Sequence, residues 1–147
     1  MKAKKKVLFL LALILTITQS ACAGDVITQD AMQLPLTARN FINRYFTKPH
    51  ISHIKIEHEF LQTKYEVLLT DRTEIDFDGN GNWLEVDCKR NAVPVALVPE
   101  YVKLYMQTNF PHEIITKIEK KRGVEVELGN DLSLKFNRKG RLIEIDD

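Results

Sequence analysis

Oxygen-bearing side chains recur along one segment of this chain at a spacing that could hold a divalent cation. Asp76-x-Asp78-x-Asn80-Gly81-x-x-x-x-x-Asp87 satisfies most of the calcium-loop pattern, with aspartate in place of glutamate at the last position. Hard carboxylate and amide oxygens would supply the ligands, and the glycine the sharp bend. Such a loop lies between two helices, whereas both flanks here, Glu74 to Phe77 and Leu84 to Asp87, alternate apolar and acidic residues as strands do. A related segment, Lys135-x-Asn137-x-Lys139-Gly140, keeps the glycine and lacks the acids. The expectation is a hairpin turn that needs Gly81 and not the carboxylates, with calcium binding by Asp76, Asp78, Asn80 and Asp87 as the alternative.

Other chemistry is harder to assemble. His50, His53, His58 and His112 invite a metal reading, but His53 and His58 differ by an odd number and so point to opposite faces of a strand, while zinc needs convergent ligands. The chain has no glycine-rich phosphate loop, nucleophile elbow or paired Cys and His signature, and no spacing singles out a catalytic pair of acids. It reads as a non-enzyme without a cofactor. The basic run Lys117 to Arg122 and the cluster Arg138-Lys139-Arg141 are expected to be solvated hairpin ends.

Residues 1–23 read as a secretion signal: four lysines at 2, 4, 5 and 6, an apolar run from Val7 to Ile17, and the small-x-small site Ala21-Cys22-Ala23. The apolar run is shorter than the roughly 20 residues that span a bilayer, so no transmembrane anchor is expected after processing. Ser20-Ala21-Cys22 is also similar to a lipoprotein box, although Gln19 stands where an aliphatic residue is usual. Cleavage after Ala23 and a lipid anchor on Cys22 both stay open. Losing four lysines changes the formal charge from +1 to −3, which argues against a nucleic-acid partner. A periplasmic or secreted protein is expected. Cys88 then has no partner for an intramolecular disulfide and is expected to be a small buried apolar residue at a strand end.

The elements that must position these residues come twice. With a shift of 64, Pro35-x-x-Ala38-x-x-Phe41-Ile42-x-x-x-Phe46 falls on Pro99-x-x-Val102-x-x-Tyr105-Met106-x-x-x-Phe110; with a shift of 59, Ile75-x-Phe77-x-x-x-Gly81-x-x-Leu84-Glu85-Val86-Asp87 falls on Leu134-x-Phe136-x-x-x-Gly140-x-x-Ile143-Glu144-Ile145-Asp146. The first copy has five extra residues between Ile54 and Tyr65. Ala38, Phe41, Ile42, Tyr45 and Phe46 form one helical stripe, and the prolines suit a first helical turn. The period then changes to two through Ile54, Ile56 and Phe60, then Tyr65, Val67 and Leu69, Ile75 and Phe77, and Leu84 and Val86. The reading is an α+β fold, a tandem duplication of a helix plus a four-strand antiparallel unit. It predicts about eight strands with both helices on one face, residues 24–88 forming the first copy and 89–147 the second. With 44% apolar and 28% charged residues, the composition is that of an ordinary compact domain or two small intimate ones.

The phrases Tyr65-Glu66-Val67, Glu74-Ile75-Asp76-Phe77-Asp78-x-x-Gly81-x-Trp83, Ala92-Val93-Pro94 and Val124-Glu125-Val126-Glu127-Leu128, in this order of elements, resemble the PepSY-like family of exported bacterial proteins, described as beta-lactamase-inhibitor-like. The likeness covers nearly the whole chain after residue 23. It departs at Thr70-Asp71-Arg72, where an Asn-Gly-like turn would be usual, and at Val124, where an aromatic would be commoner. The resemblance implies a periplasmic or surface protein with a tandem sheet and no established activity; PepSY modules proper are linked to peptidase propeptides, and the inhibitor namesake binds enzymes through its concave sheet.

Strand parity singles out the sheet face turned away from the helices. If Leu84 and Val86 point to the helices, then Trp83, Glu85 and Asp87 point away, with Glu66, Leu68, Glu74 and Asp76, and Leu142 takes the place equivalent to Trp83. Trp83 and Leu142 would either cover each other or anchor a partner, since tryptophan is enriched at interface hot spots. The expected function is non-catalytic binding of a protein or peptide in the cell envelope, through Trp83, Leu68, Leu142, Glu85 and Glu66, as an inhibitor or regulator of a peptidase or other enzyme. A calcium-binding envelope protein is the alternative.

Overall fold

The computed structural model describes residues 24–147; the expected signal segment and Cys22 lie outside the described residues. Nine strands make one antiparallel meander in chain order: β1 (Val26–Thr28), β2 (Ile51–Glu59), β3 (Gln62–Leu69), β4 (Glu74–Phe77), β5 (Trp83–Asp87), β6 (Ile115–Lys120), β7 (Gly123–Leu128), β8 (Ser133–Asn137) and β9 (Leu142–Asp146). Helix α1 (Leu36–Tyr45) links β1 to β2, and α2 (Glu100–Asn109) links β5 to β6. The α+β architecture is as expected, with β1 as a strand beyond the eight. No described helix is long and apolar enough to cross a membrane.

Both helices form where the apolar stripe predicts. Pro35 and Pro99 stand one residue earlier than expected, at the N-cap, each preceded by a short 3₁₀ turn, Ala31–Gln33 and Val95–Leu97. Asp30 caps the first of these turns by accepting the Met32 N–H at 2.9 Å. Ala38 and Ile42 from α1, Phe46 at its C-cap, and Val102 and Met106 from α2 are buried against the same sheet face as Ile54, Val67, Ile75, Phe77, Val126 and Phe136. Each such side chain contributes about 1.5–3 kcal/mol by leaving water. Aromatic contacts lock the layers, with Phe41 edge-on to Phe77 at 5.6 Å and Tyr105 edge-on to Phe136 at 5.5 Å.

Two glycines bring hairpin turns under the helix starts. Gly81 has φ +81° and Gly140 φ +74°; a methyl group would lie 2.8 Å from Pro35 Cβ on the first and 2.9 Å from the Tyr101 ring on the second. Only a residue without Cβ allows both the turn and the close approach. What the turn takes from Asp78 is an oxygen acceptor and not a charge, since Asn137 accepts the equivalent two backbone N–H bonds in the other half.

One-residue bulges correct the face assignment. Asp76 pairs with Glu85, but the next pair is Phe77 with Trp83, so Leu84 is the extra residue; likewise Lys135 pairs with Glu144 and Phe136 with Leu142, leaving Ile143 extra. Trp83 and Leu142 therefore lie on the helix side, opposite buried phenylalanines, not on the outer face. Leu84 and Ile143, expected to face the helices, are turned away, and Ile143 is 59% exposed. Phe60, expected on the buried face of a strand, is instead 92% exposed in a two-residue turn with Leu61.

Candidate functional site

Nine strands with both helices on one side leave the other side of the sheet open, and the pairing register aligns its side chains in rows. One row runs Lys55, Glu66, Asp76, Glu85, Glu119, Glu125, Lys135, Glu144, each directly opposite the next on the adjacent strand. Its centre is five consecutive carboxylates on β3 to β7. Like charges directly opposite are destabilising, and the compensation is incomplete. Lys117 reaches Glu85 at 2.8 Å and Lys121 reaches Glu119 at 2.9 Å. Ser133 donates to Glu125 at 3.1 Å. Among the described residues Glu66 and Asp76 have no ion pair. The neighbouring row carries Leu68, Glu74, Asp87, Lys117, Glu127 and Ser133.

Asp76 sits at the middle of this field. Burial, then the charges of Glu85, Glu66, Glu74 and Glu57, push its carboxyl up from 3.8 to about 6. It lines a depression of about 280 Å³ together with Glu57, Glu66, Glu85 and Glu119, which Lys64, Lys120 and Lys121 also border. The part of this effect that comes from neighbouring carboxylates would be relieved by any cation brought among them, such as a lysine or arginine side chain.

The remaining sequence candidates fall in different places. Glu66, Leu68 and Glu85 are on the open face, as expected. Trp83 is half-buried on the other side, stacked on Phe41 at 6.0 Å, with the Lys120 ammonium 3.5 Å from its ring centroid; burial lowers the Lys120 pKa. Asp76, Asp78, Asn80 and Asp87 do not surround one point. Asp76 faces Glu85, while Asp87 is opposite Glu74 and pairs with Lys89 at 2.7 Å. Asp78 closes its own turn, accepting from the backbone N–H of Asn80 and Asn82 and the Asn82 side chain; against burial, these bonds hold it below the ordinary carboxylate range. Among the described residues no group of three or more His, Cys, Asp or Glu could hold a metal ion. His53, paired with Leu68, and His58, paired with Thr63, lie at positions of opposite parity on β2. Cys88 is buried after β5, and burial pushes its thiol up to about 11. Glu119, at the centre of the row, escaped the sequence reading: it lies in the run Lys117 to Arg122 expected to be a solvated hairpin end, whereas β6 extends to Lys120 and pairs with β5 across α2.

This geometry is that of a one-layer helix-backed sheet with an acidic outer face, and the comparisons agree on the class. The chain belongs to the family described as "putative beta-lactamase-inhibitor-like, PepSY-like", whose model matches residues 63–144. Three solved structures are similar. One, described as a putative periplasmic protein of unknown function from Bacteroides vulgatus, has 37% identity and a TM-score of 0.81, over 84% of this chain and 100% of that one. Another, described as a putative calcium-regulated periplasmic protein from Bacteroides thetaiotaomicron, has 40% identity and a TM-score of 0.79, over 84% and 97%. A third, also described as a putative periplasmic protein from Bacteroides vulgatus, has 36% identity and a TM-score of 0.80, over 86% and 99%. No curated protein matches.

Proposed function

We propose that this is an exported, periplasmic, non-catalytic binding protein that takes a cationic stretch of a protein or peptide against the open face of its sheet. The observation that carries this reading is the row of five opposed carboxylates, Glu66, Asp76, Glu85, Glu119 and Glu125. A fold gains nothing from that arrangement, and a partner bringing lysine or arginine would relieve it while gaining specificity and rate of encounter. Inhibition or regulation of an enzyme is the form of binding that the family description supports. The periplasmic setting is supported by the descriptions of the similar structures.

In this reading the halves 24–88 and 89–147 are copies of one unit. The matching bulges at Leu84 and Ile143, the N-cap prolines and the paired turn glycines support it. Calcium regulation is said of one similar structure; the alternative calcium reading through Asp76, Asp78, Asn80 and Asp87 gains no support from their placement, since they do not surround one point.

The test is a pull-down from cell-envelope extract with the wild type beside Asp76→Asn/Glu119→Gln. The expected result is a partner that the wild type retains at low salt and the variant does not, with both proteins folded. Equal capture by the two would remove the face from consideration.

A further inference from the structure

The end of the sheet that carries its hairpin turns has features that the open-face reading leaves unused. In the antiparallel meander the turns β2–β3, β4–β5, β6–β7 and β8–β9 all lie at one end. The β2–β3 hairpin continues for three further pairs past Tyr65, the last residue of β3 paired with β4: Lys64 with Glu57, Thr63 with His58, and Gln62 with Glu59. The β4–β5 turn runs beside it as far as Thr63, whose backbone is against Gly79, so that the Gln62–Glu59 pair and the tip stand beyond. There Phe60 is 92% and Leu61 88% exposed, and Leu61 holds φ +69°. Two-residue turns of this kind favour Asn-Gly or Asp-Gly. A leucine in the left-handed region is strained, and neither side chain offsets it with core contact.

The charge at this end is equally one-sided. The β6–β7 and β8–β9 turns bring Arg122, Arg138, Lys139 and Arg141, together with Lys121, which pairs with Glu119 at 2.9 Å and has Glu125 nearby, while Lys120 is turned onto the Trp83 ring. At the β2–β3 tip Lys64 pairs with Glu59 at 3.4 Å, and at the β4–β5 turn Asp78 is held by Asn80 and Asn82. A chain whose residues 24–147 carry a net −3 thus concentrates cations at one end. The chain also enters the fold from this end, because Val26 is opposite Ile56 and Thr28 opposite Ile54. A lipid on Cys22, if present, would tether the same end.

We propose that this end rests on an anionic lipid bilayer, with Phe60 and Leu61 inserted at the interface and the basic turns against the phosphate headgroups. Apolar side chains inserted among headgroups, together with basic groups above an anionic surface, are the two additive sources of reversible membrane binding. The sheet then stands upright, with its carboxylate row just above the turns, where Lys121 pairs with Glu119 at 2.9 Å, and with the rest of the open face turned to a soluble partner. The proposal is independent of what that face binds.

The test is flotation of the exported chain carrying Cys22→Ser, so that no acyl group contributes, with vesicles of phosphatidylcholine alone or with roughly 30% phosphatidylglycerol. Binding is expected to the anionic vesicles only, weakening with salt. Phe60→Ser/Leu61→Asn should lower the partition about tenfold without lowering the melting temperature, since asparagine accepts the left-handed turn. Arg138→Gln/Lys139→Gln should lower it about thirtyfold. Absence of wild-type binding to anionic vesicles at low salt overturns the proposal, as does a tip variant that partitions like wild type. So does a tip variant that loses capture of a soluble envelope protein while its vesicle partition is unchanged, because the tip then serves a protein.

Discussion

Asn at position 76 should make the protein more stable at neutral pH and leave it unchanged in acid. The Asp76 carboxyl has its proton affinity raised in the fold, from 3.8 to about 6, by burial and by Glu85, Glu66, Glu74 and Glu57. Below about pH 4 it is protonated folded or unfolded and contributes nothing. Between about pH 4 and 6 the unfolded chain gives up the proton while the folded chain holds it, so stability falls as pH rises, and above about 6 the full penalty is present. A dry site would turn that difference into about 3 kcal/mol. Asp76 is only half-buried and solvent screens its neighbours, so about 1–2 kcal/mol is expected. Asp76→Asn removes the charge and keeps the shape. Urea unfolding followed by circular dichroism, for wild type and variant at about pH 4 and about pH 7.5, measures it. An Asn variant that is less stable at pH 7.5, or that differs from wild type equally at both pH values, refutes the reasoning that the open face is electrostatically strained.

Trp83→Ala should cost about 3 kcal/mol in the same unfolding assay, because the indole packs between Phe41 and Lys120 on the helix side; a loss under about 1 kcal/mol would contradict that placement. Gly81→Ala should cost at least about 2 kcal/mol, from the positive φ and the clash with Pro35, and a neutral effect would show the turn to be adjustable. Cys88, with its thiol buried and held near 11, should resist alkylation at about pH 8 in the folded protein and react quickly in urea, as mass spectrometry would record. Millimolar calcium should change the melting temperature by less than about 1 °C; a larger rise that disappears in Asp78→Ala would favour the calcium reading.

The helices and most strands were legible because their periods are clean: the apolar stripe from Ala38 to Phe46, and alternation in β2 to β4, β7 and β8. β6 was not, since Ile115 and Ile118 are an odd number apart across a bulge, and Lys117, expected in a solvated hairpin end, is in mid-strand against Glu85. β1 was not, since Val26 to Thr28 is too short to show a period and becomes a strand only by pairing with Ile54 to Ile56. Side-chain direction was legible where the ladder is regular, as for Glu66, Leu68 and Glu85. It failed at Trp83 and Leu142, because a single bulge residue reverses parity and nothing in the residue types marks Leu84 or Ile143 as extra. Phe60 misled for a related reason: a tight turn without glycine or asparagine looks like continuing strand. The acidic row was half legible, since Glu66, Asp76, Glu85 and Glu125 alternate correctly, but that they line up with Glu119 depends on a register set across α2.

The central claim, that this carboxylate row is a binding surface, is tested most directly by zero-length carbodiimide coupling in envelope extract followed by peptide mass spectrometry. The reagent joins a carboxylate to a lysine only where the two are in contact. The account predicts partner lysines coupled to Glu66, Asp76, Glu85, Glu119 or Glu125, with coupling suppressed by salt. Coupling confined to acids off this face, such as Asp30, Glu113 or Asp131, or no partner coupled at all, would contradict it.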